Sequence, residues 1–378
     1  MTASCARRWW WWGMEEGSGR RRSIGTEAVG SSMDAKTGAD GLPSAADPED
    51  LGYDPRIDRS LTLDGCFLCG SRLTPQSGTE EHVFPRWLLR KFNLWDAELN
   101  LLNGTSIRYP RLRIPCCRTC NGNYLGPLEQ RIRTASEAGI QAFDSLDRAH
   151  VYQWLLKMFY GIMFKEMFLL VDRKDPLSGA IVLPDFFEDF HTSHAMLQSI
   201  RFQTEWTPNP PWSIFTFECH AYPEPGRNFD FYDSFVSMAV AVRMGPIGVI
   251  ACLQDNNSQE QLYADYFRKF QSFPLHPIQF TELVCRVLYM QSRQNRVPKY
   301  MTRLPDAINP TMQVISLPLG GLSSKPVYDE WQQEQYAHVL AQFTGIPFEI
   351  LFAPPDQVIS WLYNQDGSVK VMNPDDRP

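Results

Sequence analysis

Two Cys-x-x-Cys pairs, Cys66–Cys69 and Cys117–Cys120, constrain this chain more than any other feature. Each pair can grip a metal from one tight turn, and four thiolates so arranged favour tetrahedral zinc in a closed, structural site. The 47 residues between them, 70 to 116, exceed a compact zinc ribbon, so something must be inserted between the two knuckles. In CCRTCNGNYLG, Cys116 competes with Cys117 for the metal, and Cys117 is preferred because it alone has the two-residue loop to Cys120. Nine cysteines in 378 residues are too dilute for a disulfide scaffold. Their distribution fits a reducing cytoplasm with one metal site, with Cys219, Cys252 and Cys285 as small buried hydrophobes.

The insert is where chemistry would lie. TEEHVFPRWLL places Glu81 and His82 twelve and thirteen residues after Cys69, and Asn121 follows Cys120 directly. The two knuckles would therefore bring a carboxylate, an imidazole and a carboxamide together. Glu81 and Asn121 offer oxygen ligands to a hard cation such as Mg²⁺ or Mn²⁺. Beside it, His82 has the chemistry of a general base for water, and the cation that of a phosphate polariser. Each residue also has a plain structural role open to it. Asn121 suits a helix N-cap, His82 a packed core position, and Glu81 a solvated surface.

The motifs CFLC, EEHVFP and CRTCN, taken together, resemble the HNH, or ββα-metal, endonuclease superfamily in the zinc-stapled form also used by phage endonuclease VII resolvases. The resemblance covers about residues 63 to 135. It implies His82 as the base that activates water, and Glu81 with Asn121 as ligands of one catalytic Mg²⁺ or Mn²⁺ at the scissile phosphate. It implies a nucleic-acid substrate, DNA rather than RNA. Two departures stand out: the acidic ligand is more often Asp than Glu, with Glu80 a competitor for the role, and the middle Asn is open among Asn93, Asn100 and Asn103.

Charge points the same way. The whole chain carries a formal −7, yet residues 66 to 133 hold ten Arg/Lys against five Asp/Glu. A basic module on an acidic carrier suits a polyanionic partner, and Arg86 and Arg118 are candidate phosphate contacts. Phe84 and Trp87 are expected to pack the small domain. In HTSH, His191 and His194 have metal-binding spacing but no third ligand nearby, so they are read as surface or core histidines.

The expected fold class is α+β: a small zinc-stapled HNH domain over 60–143, then a larger unrecognised α+β domain over 145–378 with antiparallel strands and helices. The second domain leaves room for self-association or a regulatory partner. AHVYQWLLKMFYGIMFKEMFLL and PDFFEDFHTSHAMLQSI predict helices, and WSIFTFECHAY, DFYDSFVSMAVAVR and PIGVIACLQD predict one strand each. A helix is expected from about Gly122, kinked at Pro127. The apolar run FVSMAVAVRMGPIGVIACL is broken by Arg243 and Gly245-Pro246 and reads as a buried hairpin, not a membrane span. Mean hydropathy of −0.31 fits a chain with no membrane partner. Residues 1–55 lack any periodic apolar pattern and are expected to be disordered, with translation beginning at Met14 or Met33.

Overall fold

The computed structural model describes residues 52–53, 62–172, 174–175, 177–179, 186–306, 308–319 and 326–377. Met14, Met33 and nearly all of the 1–55 segment lie outside them. The chain is a mixed α/β protein whose sheets are mostly antiparallel.

Strand β1 (Gly78–His82) leads into a short helix, α1 (Arg86–Lys91), and a small hairpin of β2 (Glu98–Asn100) and β3 (Ser106–Arg108). The chain then returns as β4 (Arg113–Cys117), antiparallel to β1, with Gly78 opposite Cys117 and His82 opposite Arg113. The alternating stretch TSIRYPRLRIPCC forms β3 and β4, separated at Tyr109–Arg111, where Pro110 sits in a 3₁₀ turn. Next comes a π-helical turn, Cys120–Leu125, and then α2 (Gly126–Ala138). The Gly126 N–H donates to the Asn121 carbonyl, five residues back. Pro127 has no N–H to give Asn123 an ordinary helical bond, so the wider turn loses little. The irregularity therefore lies just before Pro127 rather than at it.

After Gly139, α3 (Ile140–Asp144) is brief, and Asp147 caps α4 (Arg148–Met167) by accepting from the Ala149 N–H at 2.9 Å. Helix α4 is buried without a break from Val151 to Phe164, which explains its apolar character all round. Gly161 lets it lie directly against the first hairpin: a Cβ there would come within 2.8 Å of Val83 and 3.3 Å of Ile114. Helix α5 (Phe186–Leu197) packs beside α4.

The larger sheet has the order β6 (Ser213–Glu218), β9 (Ile247–Cys252), β8 (Ala239–Met244), β7 (Phe229–Ser234), all antiparallel. Strands β8 and β9 form the expected buried hairpin, turned at Gly245-Pro246, where Gly245 takes a φ of +67°. The segment expected as one strand, DFYDSFVSMAVAVR, is two. The Ser237 N–H donates to the Ser234 hydroxyl and the Met238 N–H to the Phe235 carbonyl, and this turn reverses the chain between β7 and β8. Side chains alternate between two cores. Val240, Val242, Val249 and Ala251 face the core shared with α4 and the cysteines, whereas Ala241, Ile250 and Cys252 face the core shared with helix α7 (Pro277–Ser292) and helix α8 (Gln333–Thr344). A sheet covered on both faces reads as a continuous apolar run. Strand β5 (Thr204–Thr207) pairs in parallel with β11 (Met312–Ser316), which pairs antiparallel with β10 (Tyr300–Arg303). Helix α6 (Ser258–Arg268) packs on β6.

The first core takes in residues from both sides of the boundary expected near 143–145, from Cys66 to Val314. Among the described residues, no helix is long and apolar enough to cross a membrane.

Candidate metal centre and adjoining cleft

The Sγ atoms of Cys66, Cys69, Cys117 and Cys120 all lie within 4.8 Å of one another. Ligands at the usual Zn–S distance of ~2.3 Å sit ~3.8 Å apart at the corners of a tetrahedron, and Cys69 and Cys117 are 3.8 Å apart. The donor set and spacing fit zinc. Backbone hydrogen bonds stitch the two knuckles to the hairpin: the Phe67 N–H donates to the Pro115 carbonyl and the Arg118 N–H to the Ser77 carbonyl, each at 2.9 Å. Cys116 and Cys117 are neighbours on a strand, so their side chains leave opposite faces. Cys116 is fully buried and 4.0 Å from Cys66, outside the group of four. The thiols polarise one another. Hydrogen bonds from Cys117 and Cys120 hold Cys69 well below the ordinary thiol range, while Cys66 is pushed up to about 12, first by Cys116. A divalent cation would displace the remaining protons.

Beside this cluster, a cleft of about 670 Å³ is lined by Glu81, His82, Asn121, Arg86 and Glu129 among others. Asn121 does not cap the helix: it sits within the π-helical turn, one residue past Cys120, and lines the cleft. Glu80 is exposed and paired with Arg113 at 2.9 Å. Glu81, the next residue on β1, turns to the other face and is buried. His82 is half-buried. Burial first, then Arg113 and Arg86, lowers its pKa to about 4, so its imidazole is neutral at neutral pH.

That shift is testable. A pKa below the ordinary value of 6.5 means that His82 contributes stability in full above pH 6.5 and loses it as pH falls through about 4. In an NMR titration its ring signals are expected to move near pH 4. A midpoint near 6.5 would show that neither burial nor the arginines act on it.

Glu81 does not stand alone. The ammonium of Lys157, itself 1% exposed, ion-pairs with Glu81 and with Glu129 (2.9 Å) and donates to the His82 carbonyl at 2.6 Å. The close contact at Gly161, one turn further along α4, is what brings Lys157 beneath this strand. Burial pulls Lys157 down, but the two carboxylates outweigh it and keep the ammonium charged. One ammonium cannot balance two carboxylates, and burial pushes Glu81 up to about 7. Lys157→Met should therefore cost ~3–5 kcal/mol, as for a buried ion pair with one partner removed. Urea unfolding would measure it, and the loss should be smaller at pH 5 than at pH 8, since a protonated Glu81 carries no charge. A loss under ~1 kcal/mol would mean that the ammonium does not hold this pair.

Arg86 lines the cleft, as do Arg90 and Lys91 on the same short helix. Among the described residues no carboxylate pairs with these three. Arg118 lies elsewhere, its guanidinium donating to the Gln76 carbonyl at 2.8 Å. Phe84 is fully buried, and Trp87 is half-buried against the same core. His194 is a packed core histidine, its ring nitrogen 2.9 Å from the Phe67 carbonyl and its ring between Tyr53 and Tyr160. Cys219, Cys252 and Cys285 are buried among apolar side chains. The sequence reading missed Lys157, Glu129, Arg90 and Lys91. A signal existed for two of them: a lone lysine within QWLLKMFYGIMF is conspicuous, and Arg90 follows Arg86 at helical i,i+4 spacing.

Comparison of the chain with protein-family models, with curated proteins and with solved structures finds no match.

Proposed function

We propose that this chain is a metal-dependent endonuclease of the HNH type, hydrolysing phosphodiester bonds in nucleic acid, DNA rather than RNA, in a reducing cytoplasm. The observation that carries this reading is that Glu81, His82 and Asn121 all line one cleft beside the four cysteines. They come from a strand and from the turn after its partner strand, about forty positions apart, and the cysteine cluster joins the two. β1 pairs antiparallel with β4, with α1, β2 and β3 between them in sequence, and α2 follows β4, an arrangement that supports a ββα reading.

In this reading zinc is structural, held by Cys66, Cys69, Cys117 and Cys120. Glu81 and Asn121 would hold a Mg²⁺ or Mn²⁺ ion, which when bound supplies charge neutralisation at the phosphate. The neutral imidazole of His82 takes the proton from the attacking water. Arg86, Arg90 and Lys91 anchor the flanking phosphates, which gives binding a steep salt dependence. The surplus carboxylate charge around Lys157 leaves Glu81 a partner for a cation arriving from the cleft.

One observation favours a second reading, a zinc-stabilised nucleic-acid-binding protein without catalysis: Glu81 already has a cation in Lys157. Incubation of the full-length zinc-loaded protein with supercoiled plasmid, linear duplex, single-stranded DNA and RNA separates the two. Cutting in Mg²⁺ or Mn²⁺ that EDTA abolishes is the expected result. Salt-sensitive binding without cutting in either metal would replace the nuclease with the binding module.

A further inference from the structure

A second cleft, of about 500 Å³, opens on the other side of α2. Its size falls within the ~300–1,000 Å³ of small-ligand sites. Glu129 and Arg133 on α2 line the first cleft, while Leu128 and Arg131 line the second; at ~100° per residue these pairs point in nearly opposite directions. The walls of the second cleft combine two kinds of side chain. Tyr124, Phe202 and Trp206 supply half-buried aromatic rings, and Arg131 and Arg201 supply donors.

The parts are fixed in place. Trp206 is held edge-on by Tyr152 and Trp212, at centroid distances of 5.6 and 4.7 Å. The Arg131 guanidinium donates to the His150 ring nitrogen at 2.7 Å. Arg201 is buried, lies over the Phe202 ring at 4.8 Å, and donates to Gln198 at 2.9 Å. The carboxylate at the cleft, Asp147, is already engaged in capping α4. Rings that can stack on a planar heterocycle, beside guanidinium groups that can hold a phosphate, form a nucleotide site.

We propose that this second cleft binds a nucleotide unit, its base against Tyr124 and Trp206 and its phosphate on Arg131 and Arg201. The unit comes either from a free nucleotide or from a strand that also occupies the first cleft. The strand source alone rests on the nuclease reading. The two clefts share both framing helices: Gln153 lines the second, and Lys157, one turn further along α4, holds Glu81 at the first.

Calorimetric titration of the full-length zinc-loaded protein with AMP, GMP, inorganic phosphate and a short oligothymidylate tests this, and needs no cleavage to be read. Mononucleotide binding that weakens ~10-fold or more in both Arg131→Glu and Tyr124→Ala establishes the site with a free nucleotide as its ligand. Binding of the oligonucleotide alone, weakened by the same two variants, assigns it to a strand. Phosphate binding as tight as the nucleotides would overturn the proposal, because the rings would then contribute nothing. So would the absence of binding by every probe, or binding that neither variant changes. Both side chains reach solvent, and Arg131→Lys, which keeps the charge, is expected to retain most of the affinity if Arg131→Glu proves unstable. A protein that binds nucleotides here yet cuts nothing would sink the nuclease and leave this site standing.

Discussion

His82→Ala should lower metal-dependent cleavage by ~10²–10⁴-fold, the usual contribution of a positioned general base, while zinc content and unfolding midpoint stay close to those of the wild type. The separation follows from which atoms of His82 do what. Its backbone carbonyl accepts from Lys157, and that contact survives the substitution. Its side chain is half-buried at the cleft wall, so truncation removes little packing. Only the imidazole is lost, and with it the group held neutral by burial and by Arg113 and Arg86. If His82 is the base proposed above, rates with saturating Mg²⁺ and with Mn²⁺ should fall together, because the proposed cation ligands are untouched. A variant that cuts at the wild-type rate would take His82 out of the mechanism. A variant that loses its zinc would show that the imidazole supports the knuckles.

What the sequence made legible was whatever local spacing encodes. The two Cys-x-x-Cys pairs brought their four sulfurs to one point, and the long apolar runs became α4 and the β8–β9 hairpin. Two kinds of feature escaped it. The first is long-range pairing: β5 and β11 meet in parallel across about a hundred residues, and nothing in TEWT announces MQVIS as its partner. The second is the environment of a charge. Glu81 looks like any strand carboxylate in TEEHVF, and only the approach of α4 places an ammonium against it. Alternation on β1 sets Glu80 against Arg113 and buries Glu81, yet both line the cleft. At Cys116 and Cys117, likewise adjacent on a strand, only Cys117 joins the group of four, although the Cys116 sulfur lies 4.0 Å from that of Cys66.

Replacing Cys120 with alanine should abolish stoichiometric zinc and loosen the hairpin, whereas Cys116→Ala should keep its zinc. In small zinc-finger peptides metal binding supplies ~10–16 kcal/mol of folding free energy, and their metal-free forms are unfolded. Here the outcome is expected to be local. Phe67, Val83 and Ile114 are buried in the same core as α4, so the chain around the cluster retains apolar anchors that a finger lacks. The knuckles are also tied to the hairpin through the backbone, by the bonds from Phe67 to Pro115 and from Arg118 to Ser77. Amide exchange in Cys120→Ala should therefore accelerate over residues 66–82 and 113–125 and change little in β6, β7, β8 and β9. Asn121 would lose its fixed position with the turn that carries it, so cleavage should fall although neither His82 nor Glu81 has been touched. Global unfolding would mean that zinc holds the whole first core together, while wild-type exchange rates despite lost zinc would mean that the metal only decorates a preformed hairpin.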